Sequence, residues 1–109
     1  MTRTEVIEMI GDVLTDIDIA RGSLMPNDPN RHKLDDLRIL LDDKQRKLSQ
    51  AVFDENGQSF QGAAQNLKTI NDQISGTITS INDMTTALAN ITRFLNAAAS
   101  LVSLVATFV

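Results

Sequence analysis

Val6, Ile10, Val13, Ile17 and Ala20 recur at alternating steps of four and three, with Ile7 and Leu14 widening the stripe. That spacing buries one face of an α-helix. Thr2 and Glu5 fit a capping box at its start, a hydroxyl at the N-cap and a carboxylate three residues later, and Gly22 offers a stop. The pattern predicts a first helix over about 3–22. A second apolar stripe places Leu34, Leu41 and Leu48 seven apart, with Leu37, Leu40 and Val52 beside them. Asp28 is a suitable N-cap for it, and Pro29 suits the first helical position because its missing N–H costs nothing there. The second helix is expected over about 29–54.

The longest pattern follows Asn56-Gly57. Leu67, Ile74, Ile81, Leu88, Leu95, Val102 and Val109 lie seven apart, and Ile70, Thr77, Met84, Ile91, Ala98 and Val105 form the companion column, in which only Thr77 is polar. A seven-residue repeat sustained this long keeps one seam against a neighbour if the helices supercoil. One helix is therefore predicted over about 58–107, roughly 75 Å long at 1.5 Å per residue. Asn56-Gly57 is the expected reversal, glycine accepting a positive φ; the register extends back to Phe53, so continuity of the second and third helices stays open. Gly76, beside Ser75, Thr77 and Thr79, is the weak point of the long helix and its expected hinge or close-packing site. The expected architecture is all-α: a single helical domain over 1–109, folded as an antiparallel helical hairpin or three-helix coiled coil.

The stretch FLNAAASLVSLVATFV, 94–109, is apolar nearly all round, and such a helix must be surrounded by protein or by lipid. One narrow antiparallel neighbour cannot cover every side of it. The sequence thus predicts a homo-oligomer, or docking of a cognate helical protein, through Leu88, Ile91, Phe94, Leu95, Ala98, Leu101, Val102, Leu104, Val105, Phe108 and Val109. Lipid is the competing surround. The run is short of the roughly 20 apolar residues that span a bilayer, and Asn96, Ser100, Ser103 and Thr107 interrupt it. Membrane contact through this segment fits insertion in a pore-forming assembly better than a constitutive anchor.

Composition narrows the remaining classes. The 109-residue chain carries a formal net charge of -4 and has neither Trp nor Tyr, which argues against nucleic acid as a partner, since phosphates need a basic surface and bases need stacking platforms. Beyond Asn56 the only charged residues are Lys68, Asp72, Asp83 and Arg93; the other polar positions are amides and hydroxyls, which cost less than ions to desolvate against another helix. The second helix can pair Arg31 with Asp35, Arg38 with Asp42, Asp42 with Arg46 and Asp43 with Lys47 at i,i+4, each worth about 0.2–0.5 kcal/mol. The start of the chain lacks the apolar run of a signal peptide, so a cytoplasmic location or export by a leaderless route is expected.

Catalytic chemistry finds little footing. His32 is the only histidine and there is no cysteine, so neither an imidazole base paired with a thiol nor a zinc site is spelled out. Asp12, Asp16 and Asp18, and the pairs Asp35/Asp36 and Asp42/Asp43, flank apolar stripes where solvated faces belong. DENGQSFQGAAQ departs from a calcium loop in having Gly57 fourth and Gln65 twelfth. No catalytic residue, metal or cofactor is expected.

Pro26, Asn27, Asp28 and Pro29, a proline-bracketed turn between a shorter and a longer helix, resemble the loop of type III secretion needle subunits. That resemblance implies secretion without a leader and helical self-assembly. Two other functions fit the pattern: a membrane-inserting toxin or translocator component, and a small helical immunity protein or chaperone that occludes a cognate partner.

Overall fold

The computed structural model describes residues 1–74 and 84–106. Among these residues the chain is all-helical, with α1 at Arg3–Gly22, α2 at Pro29–Gln50, α3 at Gln58–Ile74 and α4 at Met84–Ala106. The capping box opens α1: the Thr2 hydroxyl accepts from the Glu5 N–H and the Glu5 carboxylate from the Thr2 N–H, each at 3.1 Å. Asp28 caps α2 by accepting from the Asn30 N–H at 2.8 Å, with Pro29 at the first helical position. These local bonds satisfy donors that a helix start otherwise leaves unpaired, which is why both starts fall where the sequence placed them.

The second helix is shorter than the pattern predicts, ending at Gln50 rather than near residue 54. Ala51 turns to extended backbone, and the next residues are held differently. The Phe53 ring lies 4.9 Å from that of Phe60, with the Arg3 guanidinium over the Phe53 ring, 4.4 Å from its centroid. The Asp54 carboxylate accepts from the Asn56 N–H at 3.0 Å, and the Asp54 carbonyl from the Gly57 N–H at 3.1 Å. Helices α2 and α3 are therefore separate. Gly57 does not serve through a positive φ; it gives room, since a Cβ there would stand 3.2 Å from the Asp54 carbonyl.

The single long helix over 58–107 is replaced by two helices, α3 and α4, packed against each other. Arg93 donates to the Gln73 side chain at 3.2 Å, and Val105 lines one cleft with Gln58 and Phe60. Contacts between residues 20 and 45 positions apart fit an antiparallel pair and exclude a straight rod. The longest dimension of the molecule, 43 Å, is also far short of the ~75 Å rod. A seven-residue seam can be covered by its own other half as well as by a second chain, and folding back does this without association. The hinge expected at Gly76 lies outside the described residues.

Arg3 reaches the Ser49 carbonyl, Gln45 the Ile7 carbonyl, Arg38 the Asp18 carboxylate and Arg21 the Asp35 carboxylate, so α1 and α2 are antiparallel. Val52, just past α2, shares a cleft with Val105 near the end of α4, while Leu37 near the start of α2 meets Leu88 near the start of α4. Thus α2 and α4 are parallel neighbours. The packed order around the bundle is α1, α2, α4, α3, and one buried cluster drawn from all four helices runs through it.

Phe94 is fully buried in this cluster, the largest of the wholly enclosed side chains. Replacing it with Ala leaves a cavity and is expected to cost about 3–5 kcal/mol, read as a lowered midpoint in urea unfolding. Ser103→Ala, on the exposed side of α4, should stay within about 0.5 kcal/mol of the parent protein.

Candidate functional site: the rim between α2 and α4

Where α4 sits in the bundle decides which of its residues remain available. Ile91, Phe94, Leu95, Ala98, Leu101 and Val105 point into the chain's own core. They are covered by α2 and α3, which both pack on α4, rather than by one narrow neighbour. Leu88, Val102 and Leu104 are only half-buried. Phe108 and Val109 lie outside the described residues.

The rotation of α4 is the feature the sequence pattern missed. The companion column Met84, Ile91, Ala98 and Val105 is buried, as expected, but its second buried column is Ala87, Phe94 and Leu101. The column read from the heptad, Leu88, Leu95 and Val102, is displaced to the edge of the buried arc: Leu95 is 8% exposed, while Leu88 and Val102 are partly buried against the core. Two neighbours demand a wider buried arc than one, and the centre of that arc need not coincide with the two-column seam of a paired coil.

That edge column runs beside α2. Leu37, Lys33 and Asp36 of α2 form a shallow groove of about 260 Å³ with Leu88 and Thr92 of α4. Leu40 stands three and four positions beyond Leu37 and Asp36, so it continues their side of the helix by one turn, and it is 49% exposed. The rim is thus a stripe of leucines and one valine flanked by charges. Sequence reasoning named Leu88, Leu95 and Val102 but gave Leu37 and Leu40 to a buried face; the signal available was that Leu40 lies off the strict Leu34, Leu41, Leu48 column.

Two other depressions are present. An end cleft of about 630 Å³ is lined by Val52, Phe53, Phe60 and Val105 with Asp54, Gln58 and Ser59 at its edge. The other, between Asp18, Arg21, Asp35 and Arg38, is occupied by ion pairs. There Arg38 holds Asp18 at 2.6 Å and Arg21 holds Asp35 at 3.0 Å. These cross-helix pairs replace the expected Arg31–Asp35 and Arg38–Asp42 pairs, because α1 presents carboxylate and guanidinium at closer range than the next turn of α2. Arg31 instead donates to the Leu24 carbonyl. Of the pairs expected along α2, Asp43–Lys47 forms, at 3.1 Å, and Arg46 joins Asp43 rather than Asp42.

His32 is exposed in the first turn of α2, and among the described residues no group of three or more His, Cys, Asp or Glu is placed to hold a metal ion. One α1 carboxylate, Asp16, is disfavoured in its charged form. Partial burial, and then the neighbouring Asp12 charge, push its pKa upward. A carboxylate raised on folding contributes stability that is fully present below its unfolded value and lost as pH rises through its folded one. Asp16→Asn is accordingly expected to raise the unfolding midpoint at pH 7, with the gain shrinking as pH falls toward 4 in parallel urea titrations.

No family model matches the chain, no curated protein matches it, and no solved structure matches its fold.

Proposed function

We propose that the protein is a non-enzymatic helical interaction module that takes up a partner, a copy of itself or a cognate helical protein, along the α2–α4 rim. The observation that carries this reading is the column Leu88, Leu95 and Val102 left at the edge of the core beside a half-exposed Leu40. Scattered exposed apolar residues, such as Ile39 and Val52 here, are ordinary. A column at seven-residue spacing is different, because it matches the side-chain period of a docking helix. Fully covering a leucine is worth about 1.5–3 kcal/mol, so finishing several half-covered ones yields a few kcal/mol before the costs of association. That magnitude suits a reversible complex more than a permanent one.

On this proposal the protein acts in the cytoplasm or after leaderless export, and the needle-like turn at Pro26 to Pro29 is compatible with the second setting. The chain has no cysteine, so single-cysteine variants report one site each. In cells producing the protein, Leu40→Cys should react with a permeant maleimide several-fold more slowly than in dilute purified protein, whereas Asn66→Cys, on the exposed side of α3, should react alike in both. Equal rates for Leu40→Cys would count decisively against an occupied rim.

A second reading is favoured by α4 itself: over Met84–Val105, 22 residues, it is long and apolar enough to cross a membrane by length and composition. Two facts support ranking it second. Its most apolar side chains already have protein neighbours, and Arg93 falls near the middle of the span, where a charge costs about 2.5–3.5 kcal/mol. Flotation with anionic liposomes at pH 7 and pH 5 separates the readings. The docking module stays with the dense fractions and releases no trapped dye; flotation with dye release would transfer the case to lipid.

A further inference from the structure

We infer that the linker between α2 and α3 is a processing site: an endopeptidase with a small-aliphatic primary pocket cleaves the folded protein between Val52 and Phe53, and the two resulting chains stay together as one bundle. Three observations carry it.

The first is the state of the backbone. Ala51 leaves α2 with φ -69° and ψ 144°, an extended conformation, and its N–H still bonds back into the helix, to the Lys47 carbonyl at 3.0 Å. The next bonds of the linker begin at Asp54, whose carboxylate and carbonyl hold the Asn56 and Gly57 N–H groups. Between them, the backbone N–H and C=O groups of Val52 and Phe53 have no hydrogen-bond partner among the described residues. A protease takes its substrate as an added strand through such free backbone groups. The turn between α1 and α2 offers no equivalent. It is closed by bonds from the Ser23, Leu24 and Asp28 N–H groups, and Pro26 and Pro29 lack the donor that a bound strand needs.

The second is the pair of side chains. Val52 is 74% exposed, the most exposed large apolar residue among those described, so it can enter a primary pocket without leaving any packing. Phe53 is committed: its ring packs on Phe60 and lies under the Arg3 guanidinium. The residue that fills the primary pocket selects the protease, and a small pocket of the elastase type suits valine. Ser49 and Gln50, just before the linker, are exposed as well. Seating the bond requires the end of α2 to fray and the Asp54 turn to open, which are local events well short of global unfolding.

The third is what lies on either side. The antiparallel pair α1 and α2 precedes the linker, the antiparallel pair α3 and α4 follows it, and one buried cluster draws on both pairs. Val52 is not part of that cluster. Hydrolysis breaks the bond between the Val52 carbonyl carbon and the Phe53 nitrogen, water supplying a hydroxyl to the carbon and a proton to the nitrogen, and every buried side chain keeps its place. The packing of α2 on α4 continues to join the halves. Only the covalent tether is lost, so the nick turns the bundle into a two-chain complex that dilution can take apart.

Brief digestion of the full chain with an elastase-type protease tests this, read by intact mass and by size-exclusion chromatography of the whole digest. Two fragments are expected, 1–52 and 53–109, eluting together at the volume of the uncut protein. Digestion through global unfolding would instead cut many bonds at once. The urea midpoint of the nicked protein should rise with concentration more steeply than that of the uncut chain, by about 0.5–1.4 M per tenfold, which is the tenfold factor converted at the slope usual for a small protein. Val52→Asp, at an exposed position, should leave the circular dichroism of the uncut protein unchanged and slow the cut about tenfold or more. A first cut at any other bond overturns the inference, as do fragments that separate on the column without urea. Cleavage of Val52→Asp at the parent rate also overturns it, because the protease would then not be reading the Val52 side chain.

Discussion

A helix with an apolar face as wide as that of α4 cannot leave that face in water, and the rest of this fold follows from enclosing it. Phe94, Ile91 and Leu101 are completely or almost completely buried, with α2 and α3 packed on α4 and the shared core behind them. The chain supplies this enclosure by running α3 antiparallel to α4, placing α2 parallel beside it, and closing the bundle with α1. Hydrophobic enclosure sets this order; the hydrogen bonds and ion pairs are disposed around it. Arg38–Asp18 and Arg21–Asp35 lie half-exposed at the α1–α2 boundary, where such pairs contribute at most about 1 kcal/mol each. They fix the register of two helices whose contact is already driven by Val13, Ile17, Leu34 and Leu41.

Enclosure is incomplete along the α2–α4 rim, and the proposed function grows from it. Four helices of unequal polarity leave α2 and α4 side by side in the same direction, with leucines on both and, among the described residues, no further helix over the join. The α2–α4 rim combines a regular apolar column with flanking charges, among them Lys33, Asp36 and Lys44.

Local signals were the legible part of the sequence. Thr2 with Glu5, and Asp28 with Pro29, placed two helix starts because caps act within four residues. Helix type and the buried Leu34, Leu41 and Leu48 column were equally plain from periodicity. What periodicity could not state was direction. A heptad specifies that a neighbour exists, not whether it is the other half of the same segment, and so α3 and α4 read as one rod. The same ambiguity extended to the interface: Ile91, Phe94, Ala98, Leu101 and Val105 were read as free for a partner when the chain itself consumes them. Charge pairs were misread for a related reason, since i,i+4 spacing sees only its own helix and Asp18 lies on another. The displacement of Leu88 and Val102 to the rim depends on how many helices surround α4, a property of the whole fold that no single window of sequence carries.

The central claim, that α4 folds back along α3 and is enclosed by its own chain, is tested most directly by one distance. Spin labels on Ser59→Cys and Ser103→Cys, both at exposed positions, diluted with unlabelled protein so that only intramolecular pairs report, give that distance by pulsed dipolar spectroscopy. The folded-back bundle predicts a narrow distribution below about 25 Å, the interhelical spacing of about 10 Å plus label linkers. A distribution centred near 66 Å, the length of 44 residues at about 1.5 Å each, would mean a single rod and would contradict the account.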